Sequence, residues 1–182
     1  MRLKEKYKKE IQPELKKKFG YKNYFMAPKL EKVVVNVGFG RNYKDNDLIE
    51  NIKKSLANIT GQRCVLTKSK KSISAFKIRE GLVIGAMVTL RGDRMYDFVE
   101  KLVNVTFPRV RDFRGISEKS VDKNGNLTVG FREHLPFPEI SLESMENIHG
   151  LEVSISTSAK NKEEGLEFLR KMGFPFKKET KD

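Results

Sequence analysis

The chain has 182 residues, 38% of them hydrophobic and 34% charged, with 37 Lys and Arg against 24 Asp and Glu and a formal charge of +13. That length suits a single packed domain over residues 1–182 with a basic N-terminal helix, and so large a positive excess repels itself unless a polyanion lies nearby. The apolar runs are no longer than stretches such as Val33-Val34-Val35, residues 1–22 are charged throughout, and Cys64 is the single cysteine, which argues against a membrane span, a secretory leader and a disulfide framework and suits a reducing cytoplasm.

Leu3, Tyr7, Ile11, Leu15 and Phe19 recur every four residues among many lysines, which predicts a helix with a narrow apolar stripe. Pro13 is expected to break or kink it, and Gly20 to stop it. Glu31 to Phe39 alternates as a strand, with Val33, Val35, Val37 and Phe39 on one face. A helix follows from about Asp47, three residues before Glu50 as in a capping box, with Ile49, Ile52, Leu56 and Ile59 inward and Gly61 at its end. Gln62 to Leu66 reads as a short strand. Thr67 to Gly81 shows little periodicity, and Leu82 to Arg91 is a strand again. Asp93 can cap the next helix, whose inner face is Met95, Phe98, Val99 and Leu102, with Pro108 beyond its end. Asn124-Gly125 marks a hairpin. The strand after it, Asn126 to Arg132, turns Leu127, Val129 and Phe131 inward. A last strand, Leu151 to Thr157, and a helix capped by Asn161 complete the chain. The order βαββαββα predicts an α+β fold, a mainly antiparallel sheet with helices packed on one face.

The other face of that sheet collects Asn36, Gly38, Gln62, Cys64, Gly85, Met87, Thr89, Arg91, Asn126, Thr128, Gly130, Arg132, Ser154 and Ser156. Apart from Glu152, these are mostly small, neutral and able to hydrogen-bond. Short side chains let a bulky ligand approach the strands, and amides and hydroxyls suit ribose and phosphate oxygens. Thr and Ser also favour strands for their own sake. A sheet that stacks unpaired bases would present aromatics, and this face has none, so a folded RNA read by shape and backbone is the better match.

From Thr67 to Arg79 there are five cations, Lys68, Lys70, Lys71, Lys77 and Arg79, and no acid. Hydroxyls such as Ser72 add donors, while Phe76 and Ile78 can rest on a sugar or base. Arg109, Arg111 and Arg114 form a second basic cluster. Their guanidinium forks suit phosphate, and pairing with Asp112 or Glu118 explains them equally well.

Catalytic chemistry finds little support. Gly38-Phe39-Gly40 lacks the third glycine of a dinucleotide fingerprint, where Tyr43 stands. His134 and His149 are the only histidines, and with one cysteine they cannot complete a zinc set. No catalytic constellation, metal site or cofactor is expected. An RNA-modifying enzyme and a basic protein–protein adaptor are the competing readings; RNA turnover would mark the first, and an association that persists after the RNA is stripped away the second.

Several ordered stretches carry a resemblance: Ile59-Thr60-Gly61-Gln62; Thr67-Lys68 through Phe76-Lys77-Ile78-Arg79 to Gly81; Val88-Thr89-Leu90-Arg91-Gly92; Pro108-Arg109-Val110-Arg111-Asp112-Phe113-Arg114-Gly115; Phe137-Pro138-Glu139-Ile140; and Phe174-Pro175-Phe176. Nearly end to end, the chain resembles the universal family of large-subunit ribosomal proteins that bind 5S rRNA, the fifth in that subunit's numbering, in its bacterial form. The resemblance implies a curved sheet gripping 5S rRNA in the central protuberance through Asn36, Gln62, Thr89 and Arg91. It implies contact of the basic loop, Lys68, Lys70, Lys71, Ser72, Phe76, Lys77, Ile78 and Arg79, with peptidyl-site tRNA. It further implies a bridge to a small-subunit head protein near Arg109, Arg111, Arg114 and the loops around 135–148. Neighbouring large-subunit rRNA and proteins complete the expected partners, and the free chain is expected to be a monomer.

Overall fold

The computed structural model describes residues 2–40, 42–140 and 148–177. Five strands, β1 (Leu30–Gly38), β2 (Val65–Lys68), β3 (Val83–Leu90), β4 (Leu127–Phe131) and β5 (Leu151–Thr157), form an open antiparallel sheet in the order β2-β3-β1-β5-β4. With the helices between them, this is the α+β succession expected from the periodicities. The chain falls into two compact units. The first comprises Met1–Val33, Leu90–Val129 and Ser154–Asp182, and the second Val34–Thr89 and Gly130–Val153.

In the first unit, the N-terminal helix, α1, is α-helical over Leu3–Lys6, widens to a π-helix over Tyr7–Ile11 and is α-helical again over Gln12–Phe19. Pro13 therefore does not break it. A proline ring clashes with the carbonyl four residues back and leaves it without a donor. Here the residue just before the proline, Gln12, bonds back five residues to Tyr7 O, and the wider turn accommodates the ring. The same device recurs in α3. Gly92–Lys101 passes into a π segment, Leu102–Thr106, and then Phe107–Arg109, with Phe107 N bonded to Leu102 O immediately before Pro108. Pro108 thus lies inside the helix rather than beyond it. Leu3, Tyr7, Ile11 and Leu15 are buried as the stripe required. The Tyr7 hydroxyl donates to Pro28 O at 3.1 Å. Burial, then the neighbouring Tyr96, pushes that hydroxyl's pKa up to about 12, so it remains a donor well above neutral pH. Asp93 is a first-turn residue of α3 that pairs with Lys4, not a cap. The C-terminal helix, α4 (Lys162–Lys171), is capped by Asn161, whose side chain accepts from Glu164 N at 2.9 Å.

In the second unit, Val35, Val37, Ala86 and Val88 are buried, as are Ile52, Leu56 and Ile59 of α2 (Asn46–Thr60). The cap of α2 is Asp45, accepting from Leu48 N at 3.0 Å, two residues ahead of the expected Asp47. Glu50 instead pairs with Lys53.

Candidate nucleic-acid interface

Strand alternation in the second unit leaves Asn36 and Gly38 of β1 exposed beside half-buried Met87 and Thr89 of β3. The Asn36 amide has no hydrogen bond among the described residues. A Cβ built on Gly38 or on Gly130 would meet nothing within 4 Å, so the backbone is open to a ligand at both. Gly85 behaves differently. It is buried, and a Cβ there would lie 2.7 Å from Thr67 Oγ1 and 3.0 Å from Val37 O. Thr67 is its partner in the β2–β3 register, so this glycine seats β2 and does not offer a smooth surface.

Gln62 is not on a strand, because β2 begins only at Val65. Its residue stands in the turn after Gly61, with the Gln62 N–H donating to Thr60 Oγ1 at 3.3 Å. The side-chain Nε2 donates to Thr89 O at 3.2 Å. The turn and the bond together fix the amide against β3. In the first unit, Arg91 is exposed and follows β3 at the cap position of α3. One of its guanidinium nitrogens reaches Glu31 O at 3.4 Å, and the others have no partner among the described residues. Thr128 Oγ1 and Ser154 Oγ of the same unit lie 3.3 Å apart, a cross-strand hydroxyl pair.

The basic segment is an ordered hairpin tip. Ile73 N–H donates to Ile78 O at 2.8 Å and Ile78 N–H to Ile73 O at 3.1 Å, closed by a 3-10 turn, Ser74–Phe76. Ser72 Oγ accepts from Glu80 N at 2.9 Å. Lys77 adopts a left-handed conformation, φ 55°. Lys68, Lys70, Lys71, Ser72, Lys77 and Arg79 are all exposed. Phe76 is 69% exposed and Ile73 44%, so apolar contact surface accompanies the cations. A groove of about 900 Å³ runs between this tip and Tyr43. Tyr43 is the aromatic on that groove's lining, a position that residue periodicity does not mark.

In the first unit, Arg109, Arg111 and Arg114 are exposed. Glu118, one of the two carboxylates that could have neutralised them, pairs instead with Arg170, and none of the three arginines has an acidic partner among the described residues. Their loop is pinned from within. The Phe113 ring stacks on Phe107 at 5.2 Å, and Gly115, φ 92°, has Lys177 N 2.9 Å from where a Cβ would stand. Of the loops expected around 135–148, residues 141–147 lie outside the described residues.

The two histidines meet in the second unit, their rings stacked 4.0 Å apart. His134 is buried, and burial holds its pKa below the ordinary histidine range. Its Nδ1 accepts from His149 N at 3.3 Å. Among the described residues, no three His, Cys, Asp or Glu side chains gather where a metal ion could sit.

These features describe a basic α+β protein with an open sheet face and an ordered cationic hairpin. A family model for the C-terminus of the ribosomal protein L5 family matches residues 83–176, and one for ribosomal protein L5 itself matches residues 23–79. The large ribosomal subunit protein uL5 of Halothermothrix orenii is 54% identical, over 96% of this chain and 97% of its own. That of Desulforapulum autotrophicum is 55% identical, over 96% and 98%, and that of Leuconostoc mesenteroides is 50% identical, over 97% and 98%. The chain belongs to the uL5 family of large ribosomal subunit proteins, a structural and non-enzymatic family.

Proposed function

We propose that this protein holds 5S rRNA in the central protuberance of the large ribosomal subunit, through the sheet face that carries Asn36, Gln62 and Thr89 together with Arg91. The observation that carries this reading is the face itself: an exposed Asn36 amide beside backbone left open at Gly38, with Gln62 held against Thr89. Such a surface admits a folded RNA to hydrogen-bonding distance and rewards its ribose and phosphate oxygens. The hairpin tip, with its cations and exposed Phe76, is the contact to peptidyl-site tRNA. Arg109, Arg111 and Arg114, exposed and without an acidic partner among the described residues, face the small-subunit head protein. Neighbouring large-subunit rRNA and proteins surround a chain that is monomeric and cytoplasmic before assembly.

The test is competition binding of the purified protein to 5S rRNA and to an unrelated hairpin RNA of equal length, in moderate salt. Preference for 5S rRNA by at least tenfold, about 1.4 kcal/mol, is expected. Equal affinity for the two RNAs would remove specific recognition and leave only a polyanion binder.

A further inference from the structure

Within the first unit, the 3-10 turn Tyr24–Met26 carries the most exposed large apolar side chain among the described residues: Phe25 is 89% exposed, with Tyr24 at 49% and Met26 at 44%. The turn is held in place from several sides. Gln12 Nε2 donates to Tyr24 O at 2.9 Å, Asn23 Oδ1 accepts from Phe25 N at 3.3 Å, and Ala27 N donates to Tyr24 O at 3.1 Å. Lys16 Nζ sits 4.0 Å from the centre of the Tyr24 ring. Beside the turn runs a groove of about 480 Å³ lined by Phe25, Lys4, Lys8, Lys29, Tyr7 and Gln12. Every charged residue on that lining is a lysine. Lys4 is paired with Asp93, whose carboxylate also feels the charge of Lys8, whereas Lys29 has no carboxylate partner among the described residues.

A solvent-facing aromatic ring on a hydrogen-bonded turn beside lysines is the chemistry that binds single-stranded RNA. Bases stack on the ring while phosphates sit near the ammonium groups. A protein partner would also be served by the apolar side chains, but a lining whose charged residues are all lysines suits a chain with a phosphate at every residue, so charge complementarity favours RNA. We propose that Phe25 is the stacking platform of a second RNA site, which takes one unpaired base on its ring and the flanking phosphates on Lys8 and Lys29. This site shares no residue with those assigned to 5S rRNA, and its failure would leave the 5S rRNA reading standing.

The chain contains no tryptophan, so Phe25→Trp supplies a single fluorophore on the platform that keeps the stacking surface. The full-length variant, already saturated with 5S rRNA, is titrated with a six-nucleotide oligo(A) RNA and with an abasic hexamer of the same charge. Expected is quenching by oligo(A), with at least fivefold weaker quenching by the abasic strand. Phe25→Ala, measured by competition against the tryptophan variant, is expected to bind oligo(A) about tenfold more weakly, in the range set by loss of one stacked base. Lys8→Gln is expected to lower the slope of log affinity against log salt by about one. An unchanged melting temperature in each variant shows that the exposed site was altered without the fold. Equal quenching by both strands, or parental oligo(A) affinity in Phe25→Ala, would overturn the proposal. It would also be overturned if Phe25→Ala lost a protein neighbour from reconstituted subunits while its RNA contacts were unchanged.

Discussion

On the second unit, the β1–β3 face and the hairpin beyond β2 differ in nearly every property that governs binding. The face is neutral and short-chained, with backbone open at Gly38 and an amide, Gln62, held by a hydrogen bond to Thr89 O. The hairpin carries Lys68, Lys70, Lys71, Lys77 and Arg79 and exposes Phe76. One surface demands close fit and the other attracts at range. Close fit discriminates among folded RNAs, because a misfit leaves desolvated polar groups unpaired. Cation-rich surface adds affinity that salt erodes and that any phosphate backbone can claim. The difference suits a permanent ligand on the face and a passing one on the hairpin.

Filling the gap at Gly38 gives the sharpest separation. A Cβ there meets nothing within 4 Å and position 38 is exposed, so Gly38→Leu is expected to fold with an unchanged melting temperature. It should still lose about a hundredfold in 5S rRNA affinity, ~2.7 kcal/mol, because the strand can no longer be approached. A binding titration checks it, and parental affinity would mean that the RNA stands off this face. Arg91→Ala comes next, at about 1–3 kcal/mol of 5S rRNA binding, the worth of a charge-assisted contact. Its single long bond to Glu31 O contributes little to the fold, so thermal stability should hold.

The triple change Lys68→Gln, Lys70→Gln and Lys71→Gln asks the converse question. It should move 5S rRNA affinity by less than about threefold while weakening tRNA contact on the ribosome and flattening that contact's salt dependence. Chemical footprinting of tRNA in the peptidyl site reads the first effect, and filter binding reads the second. A variant that lost 5S rRNA first would erase the distinction between the two surfaces.

How much of this could be read from residues alone depended on the range of the interactions involved. Period-two burial placed β1, β3 and β5, and with them Asn36 and Thr89, because alternation is a local property of the chain. Gln62 was misplaced on a strand, since the turn that holds it depends on Thr60 and Thr89. Asp45 and Asp47 both precede helical sequence at cap-like spacing, and only backbone geometry tells which one accepts. Pro13 was read as a break or kink and Pro108 as lying beyond a helix end, because a π turn just before each is invisible to residue periodicity. The hairpin looked irregular in sequence because its order comes from backbone bonds between Ile73 and Ile78. Which lysines of α1 are neutralised was equally hidden, since Lys4 and Lys18 find Asp93 and Glu167 far along the chain.

The smallest expected effect tests whether the hairpin tip is a shaped element or merely a carrier of charge. Lys77 closes the turn at φ 55°, a conformation that costs a residue with a Cβ roughly 1–2 kcal/mol. Asparagine tolerates that region better, and alanine does not. Lys77→Asn and Lys77→Ala remove the same charge, so any difference between them reports backbone strain. Amide exchange at Ile73 and Ile78, whose N–H groups bond across the tip, is expected to be about twofold slower in the Asn variant than in the Ala variant, ~0.4 kcal/mol. Exchange in β1 and β3, and 5S rRNA affinity, should be equal in both. If the two variants exchange alike at Ile73 and Ile78, the left-handed residue stores nothing and the tip acts through its cations alone. If they differ there and also differ in tRNA contact, the strained turn itself presents Phe76 and Arg79, and the hairpin discriminates by shape as the sheet face does.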